Sequence, residues 1–202
     1  MLTRWRIKRR NRSRGAALIE AAIVAPVFFM IIFAIIEFGF LFRNYLTIGS
    51  VTSETARTAA IRGNDPDADY QTLQTFFQAF QAWDVRDFDV LVIYKATGPD
   101  DPVPPSCISQ SSAALECNRY TVADLYKPPV DGSTTNFGGC PTEPESLDKY
   151  WCPLDRDATL EGGVDLIGIY VEGTHKYLTG FFGDDATLSY TQVIRIEPER
   201  TK

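Results

Sequence analysis

Between Ala16 and Phe42 the chain runs through 27 residues interrupted by charge only at Glu20 and Glu37. Such a run reads as a membrane-spanning helix. At ~1.5 Å per residue it reaches roughly 40 Å, more than the ~30 Å hydrocarbon layer, which leaves room for tilt and places both glutamates near the interfaces. Beyond Phe42 the pattern becomes amphipathic. Leu46, Ile48, Val51, Thr55, Ala56 and Ala59 recur at three- and four-residue spacing, with Arg43, Glu54, Arg57 and Arg62 between them, so the helix is expected to continue with one packable face. Gly63, followed by Asn64-Asp65-Pro66, is a stop signal.

Asp65 or Asp67 can then cap a second helix in which Tyr70, Leu73, Phe76, Phe77, Phe80 and Trp83 form an apolar stripe, read as core. Asp87 to Gly98 reads as a strand buried on both faces, with Phe88, Val90, Val92 and Tyr94 alternating with Leu91 and Ile93. Gly98 to Pro105 is a loop by its prolines, and Arg119 to Tyr126 is a second strand or a short helix. Two more strands are expected at Val164–Tyr177 and Ala186–Ile196, the latter with Leu188, Tyr190, Gln192, Ile194 and Ile196 on one face. Between them, Leu178 to Asp185 is a turn whose Phe181-Phe182 pair is either buried or a small exposed contact patch.

These elements give an α+β chain in which a long N-terminal transmembrane helix continues into a small domain with a short antiparallel sheet packed by helices. Residues 1–15 form a basic leader and residues 16–42 the transmembrane helix. Residues 43–64 continue that helix, and residues 65–202 form the α+β domain with an irregular cysteine-bearing insertion at 98–163.

Charge orients this arrangement. Arg4, Arg6, Lys8, Arg9, Arg10, Arg12 and Arg14 precede the span with no acidic residue among them, so the N-terminus is expected in the cytoplasm and the C-terminal part outside it. The remaining 13 basic residues face all 26 acidic ones, a net of −13 beyond the leader, which argues against a nucleic-acid partner. A cleaved secretory signal would have an apolar core of roughly 7 to 15 residues and a small-x-small site. This run is longer, and Phe40-Leu41-Phe42-Arg43-Asn44 offers no such site, so the helix is expected to stay as an anchor in the cytoplasmic membrane.

Four cysteines, Cys107, Cys117, Cys140 and Cys152, all lie beyond the span and read as disulfides. Three pairings are open. Local bridging, Cys107 to Cys117 and Cys140 to Cys152, is the simplest because each pair closes a short loop rich in Pro, Gly or Ser. Zinc is the competing reading, but no Cys-x-x-Cys is present and His175 is the single histidine, so no metal or cofactor is expected. No Gly-x-Ser-x-Gly, His-Glu-x-x-His, Gly-x-Gly-x-x-Gly or phosphate loop is present either. An enzyme with a small-molecule substrate is therefore not expected. Asp100-Asp101 and Asp184-Asp185 sit in turn-like segments where solvated charge is the default.

At the inner edge of the span, Gly15 is followed by Ala16-Ala17-Leu18-Ile19-Glu20. A glycine after a basic run, with a glutamate five positions into the apolar segment, resembles the processing site of type IV pilins and their relatives. In that group a membrane peptidase cuts after the glycine, which here lies between Gly15 and Ala16. The glutamate has a physical rationale. A carboxylate inside the bilayer edge costs roughly 2.5 to 3.5 kcal/mol at full depth and seeks a partner, and cleavage makes one in the new α-amino group of Ala16. Two opposite charges ~4 Å apart attract by ~4 kcal/mol at an effective dielectric near 20, before desolvation is subtracted. Ala17, Ala21 and Ala25 add a small-xxx-small stripe that lets another helix approach closely. Pro26, which cannot donate to Ala22, is expected to kink the helix slightly.

The sequence Arg12-Ser13-Arg14-Gly15-Ala16-Ala17-Leu18-Ile19-Glu20, then Ala25-Pro26 and Ile36-Glu37-Phe38-Gly39, resembles the TadE-like pilin-like proteins of the tight-adherence (Flp) pilus system. Ser53-Glu54-Thr55-Ala56-Arg57 is similar to that family's Arg-Glu-Gly-Ala-Arg stretch, with Thr55 where glycine is usual. Thr191 to Pro198 is similar to its final strand. The likeness covers residues 12–62 and the chain's end and is absent over 98–163. It implies a minor pilin or pilus-assembly component, cut by a prepilin peptidase and acting with other pilin-like subunits, a secretion ATPase and platform membrane proteins. A single-pass tether for an extracellular binding or adhesion module, never assembled into a pilus, is the alternative.

Overall fold

The computed structural model describes residues 13–80, 87–125, 136–137, 140, 146–159 and 163–198. The basic residues up to Arg12, Trp83, and much of the expected insertion lie outside the described residues. The chain divides after Phe40 into two compact units, and helix α1 (Ser13–Arg62, 50 residues) runs through that division. The expected single helix is thus present, beginning three residues earlier than its apolar pattern and continuing through Pro26.

In the first unit, Leu18, Ile23, Val24, Val27 and Ile35 are all more than 60% exposed. Among the described residues this is the one helix long and apolar enough to cross a membrane. An apolar surface so continuous is not tolerated in water, and the helix reads as a single-pass anchor. Glu37, expected near an interface, is only 1% exposed. A carboxylate in an apolar run is costly unless engaged, and the Glu37 side chain is engaged.

The second unit begins with the rest of α1, followed by α2 (Ala68–Phe80), β1 (Phe88–Ala96), α3 (Pro105–Ser109), β2 (Cys117–Tyr120), α4 (Val122–Leu125), β3 (Leu166–Lys176) and β4 (Asp185–Arg195). Two 3-10 turns, Lys149–Trp151 and Pro153–Asp155, precede β3. The four strands form one antiparallel sheet in the order β2-β1-β3-β4. Both readings of the segment after Arg119 are realised in part, since β2 ends at Tyr120 and α4 follows at once.

The helices cover one face of the sheet. Ile48, Val51, Ala56, Ala59 and Ala60 of α1 and Leu73, Phe76 and Phe80 of α2 pack with Leu91, Ile93, Ile167, Ile169 and Val171. Thr52 and Thr55 are buried in the same seam because each hydroxyl donates to the carbonyl four residues back, Ile48 and Val51. Leu46 does not join them and is 54% exposed. Two residues before Ile48 on a 3.6-residue period, it lies ~200° round the helix from that face.

The other face holds Val90, Val92, Tyr94, Ala96 and Tyr170, closed over by Val103 and the Cys107–Cys117 pair. Strict alternation would put Phe88 on this face with Val90. A register shift between them turns Phe88 to the helix side instead. There its ring meets Phe76 at 4.9 Å and Phe80 at 5.7 Å. Cys107 and Cys117 are joined with Cα atoms 6.1 Å apart, and Cys140 and Cys152 with Cα atoms 5.4 Å apart.

Two glycines fix how the pieces meet. Gly63 ends α1 at φ +45°, its N–H reaching the Ala59 carbonyl at 2.9 Å, and a Cβ there would lie 2.6 Å from Ile196 Cγ2. The chain leaving β4 completes this cap, because the Glu197 N–H satisfies the Ala60 carbonyl at 2.9 Å. Gly168, opposite Tyr94 in the β1–β3 ladder, lies beneath the Tyr94 ring, whose Cζ would be 2.2 Å from an added Cβ. Leu188, Tyr190 and Ile194 of β4 pack against the helix-side core and Ile196 is fully buried, the face expected of that strand.

Candidate functional site

Gly15, Ala16 and Glu20 are exposed positions in the opening turns of α1. The Gly15–Ala16 bond lies in the first turn, where backbone N–H groups have no acceptor within the helix. Opening that turn for a peptidase therefore breaks few hydrogen bonds. Glu20 is one helical turn further on, ~6 Å along the axis from Ala16, so a free α-amino group at Ala16 would lie within reach of its own chain's carboxylate as well as a neighbour's. Ala17 and Ala21 are exposed and Ala25 half-exposed on one side of the helix, with Glu20 adjoining that strip.

The second unit contains a polar cluster that pattern reading missed. Asp69, in the first turn of α2, is fully buried, and its Oδ1 accepts from Arg156 Nη2 at 2.6 Å. Neither side chain has any solvent exposure. Oδ2 accepts from Asn118 Nδ2 at 2.9 Å and from the Tyr120 hydroxyl at 2.7 Å. Asn118 also holds the 3-10 turn: its Oδ1 accepts from the Tyr150 and Trp151 N–H groups, and its Nδ2 donates to the Trp151 carbonyl. The Arg156 guanidinium lies 4.4 Å from the centre of the Trp151 ring and donates to the Trp151 carbonyl. Burial, and then the adjacent Asp69 carboxylate, push the Tyr120 hydroxyl well above its ordinary pKa, so it stays a donor.

Both Asp69 carboxylate oxygens accept from buried donors, and the side chain has no solvent exposure. The cluster is buried as a whole, and within it Arg156 Nε and Trp151 Nε1 have no hydrogen-bond partner among the described residues. It clamps β2 and the segment around residues 151–156 onto the start of α2, and it presents no free acid, base or nucleophile. His175 is also buried, with Nδ1 accepting from Asn44 Nδ2 at 2.8 Å. Its Nε2 has no hydrogen-bond partner among the described residues. Three or more His, Cys, Asp or Glu side chains do not converge as a metal site among the described residues.

A cleft of about 490 Å³ lies between α1 and α2, lined by Ser50, Val51, Glu54, Thr75, Gln78 and Ala79. It is shallow and mixed in character, without the convergent polar groups that mark a small-molecule site.

Residues 15–57 match the family model described as TadE-like protein. No curated protein and no solved structure matches the chain. The matched segment starts at Gly15, takes in Glu20, the alanine strip, Pro26 and Glu37, and ends at Arg57, six residues short of the Gly63 cap. Its boundaries therefore follow α1 rather than the sheet, and the likeness of Thr191–Pro198 to the family's final strand lies outside the matched residues. The Asp69–Arg156 cluster lies outside it as well.

Proposed function

We propose that this chain is a membrane-anchored, pilin-like component of a tight-adherence pilus system, acting in pilus assembly or as a minor pilin. The observation that carries this reading is the coincidence of the TadE-like match at residues 15–57 with an exposed, apolar, anchor-length helix. A prepilin peptidase cuts between Gly15 and Ala16, the helix remains in the cytoplasmic membrane with its N-terminus inward, and the C-terminal unit stands outside. Glu20 pairs with the α-amino group of Ala16 on a neighbouring subunit and sets the register of packed helices, with Ala17, Ala21 and Ala25 at the contact. The machinery it serves comprises other pilin-like subunits, a secretion ATPase and platform membrane proteins.

Intact-mass analysis of protein extracted from membranes tests the first step. With a prepilin peptidase present, the mature chain is expected to lack residues 1–15, and replacing Gly15 with a bulky residue is expected to restore the full mass. A full-length mature chain in cells with an active peptidase would overturn this reading in favour of a plain tether.

A further inference from the structure

The two edges of the sheet are finished differently. On the outer side of β2, Cys117 exchanges two backbone hydrogen bonds with Ser112, each 3.0 Å, and the Arg119 N–H donates to Ser111 Oγ at 2.8 Å. That short edge is closed. β4 has 11 residues against the 4 of β2, follows β3 through its whole length with no register shift, and contains no proline, lysine or glycine. The Tyr177 N–H donates to the Asp184 carbonyl at one end of this ladder and the Ile196 N–H to the Asp165 carbonyl at the other. Alternation between those bonds turns the backbone of the even-numbered residues toward β3 and that of Asp185, Thr187, Ser189, Thr191, Val193 and Arg195 away from it. Among the described residues these six have no backbone partner on the outer side, and one side-chain amide, that of Gln192, reaches the Val193 carbonyl at 3.2 Å. Folded proteins blunt a long edge with a bulge, a proline or a charge within it, because its bare N–H and C=O groups pair with any extended chain. β4 carries charge only at its ends, Asp185 and Arg195. We infer that the β4 edge is a docking site for an extended segment of another protein, which adds a fifth strand to the sheet and carries a lysine or arginine opposite residues 191–193.

A cleft bordering the same stretch of β4 commits the site to a basic strand. It has a volume of about 350 Å³ and is lined by Pro99, Asp100, Asp101 and Pro102 of the loop after β1 and by Thr191, Gln192 and Val193. The loop wall is fixed in advance. The Tyr94 hydroxyl donates to the Asp101 carbonyl at 2.6 Å, and Thr97 donates through its N–H and its hydroxyl to Asp101 Oδ2 at 2.8 and 2.9 Å. The two Thr97 bonds hold the Asp101 carboxyl below the ordinary carboxylate range, so it is ionised at neutral pH. Asp100 is exposed, and no lysine or arginine pairs with either aspartate among the described residues. Val193 packs with the second face of the sheet, and an added strand returns a side chain to that face roughly every 7 Å. One such side chain therefore stands beside Thr191 or Val193 at the cleft. A lysine or arginine there meets two uncompensated carboxylates, whereas an acidic residue meets like charge. Thr187, Ser189 and Thr191, all exposed and uncharged, leave the rest of the edge without preference, so backbone pairing supplies the affinity and the cleft selects the side chain.

The inference concerns the second unit alone and stands or falls apart from the pilus reading. The full chain in detergent micelles is titrated, up to about 1 mM, with short peptides of alternating threonine and valine in which lysine, glutamine or glutamate replaces each residue in turn. Amide hydrogen exchange at Thr187, Ser189, Thr191 and Val193 reads docking at the edge. Peptides with lysine at one register are expected to slow exchange at those four N–H groups, and their glutamate counterparts to bind about tenfold more weakly. Asp100→Lys should erase most of that preference. N-methylating the alternate peptide amides that face β4 should abolish binding without any change to the protein. Thr191→Pro should weaken it as well, since it removes an outward N–H and leaves the β3 ladder intact, with near-ultraviolet dichroism checking the fold. Binding that survives N-methylation, equal binding of lysine and glutamate peptides, or no protection by any peptide overturns the inference. Edge N–H groups that become protected as protein concentration rises, with no peptide present, assign the edge to a second copy and overturn it too.

Discussion

Replacing Arg156 with leucine should cost far more than its single ion pair suggests. In the native chain, Asp69 and Arg156 both have no side-chain exposure and meet at 2.6 Å. Arg156→Leu leaves the Asp69 carboxylate in the same dry pocket with only the neutral donors Asn118 and Tyr120, and also removes the cation over Trp151. Breaking one side of a buried pair costs about 3–5 kcal/mol, because the remaining charge keeps its desolvation penalty. The comparator is Lys176→Ala, whose partner Asp87 is 3.0 Å away but whose own side chain is 68% exposed. An exposed pair contributes about 0–1 kcal/mol. Denaturant unfolding of the disulfide-intact full chain in detergent, followed by near-ultraviolet dichroism of the aromatic core, reads both. The double variant Asp69→Leu/Arg156→Leu should recover a large part of the loss, since it removes the orphaned charge rather than creating one. An Arg156→Leu loss no larger than that of Lys176→Ala would refute the view that this cluster clamps the fold.

Three other outcomes follow from separate features. Gly168→Ala would set a Cβ 2.2 Å from the Tyr94 ring and should destabilise the second unit by about 1–3 kcal/mol; Tyr94→Leu in the same chain should relieve most of it in denaturant titrations. Burial, with Asp101 adding to it, pushes the Tyr94 hydroxyl up to about 12. A raised folded-state pKa contributes stability that is complete below the unfolded value near 10 and is lost as pH climbs through about 12. Unfolding midpoints should therefore fall across that alkaline window, and Tyr94→Phe should flatten the fall. Glu20→Ala should leave Gly15–Ala16 cleavage intact by mass while reducing surface pili; normal piliation would remove the charge-pairing role proposed for Glu20.

The elements were largely legible because each stretch that packs carries a simple period. The run from Ala16 to Phe42, the stripe Leu73-Phe76-Phe80 and the continuous apolar β1 all appear in the fold in those roles. Leu46 shows where a spacing count is too coarse, since its neighbours define a face that it misses. Phe88 shows a different limit: a bulge changes the face without leaving a mark in the composition. The Asp69–Arg156 cluster was out of reach for a third reason. Its partners are 87 residues apart in sequence, and an aspartate at a helix start followed much later by an arginine looks like ordinary solvated charge. The clue was weak but present: Asp69 is one position before the stripe member Tyr70.

The helical continuity of α1 sets a condition on how Glu20 can act. Because Ser13–Arg62 is helical throughout, the carboxylate and the α-amino group that the proposed cleavage would create would stand one turn apart on the same chain, ~6 Å along the axis. A same-chain pair at that spacing needs only rotamer changes, so a neighbour must offer more than charge to capture either group. The strip at Ala17, Ala21 and Ala25 supplies that excess, because small side chains let two helix backbones approach and gain packing that a lone helix in lipid cannot. Enlarging Ala21 to leucine, with both charges left in place, should then weaken assembly about as much as losing Glu20. If instead Ala21→Leu assembles normally while Glu20→Ala fails, charge alone registers the subunits and the alanine strip is incidental.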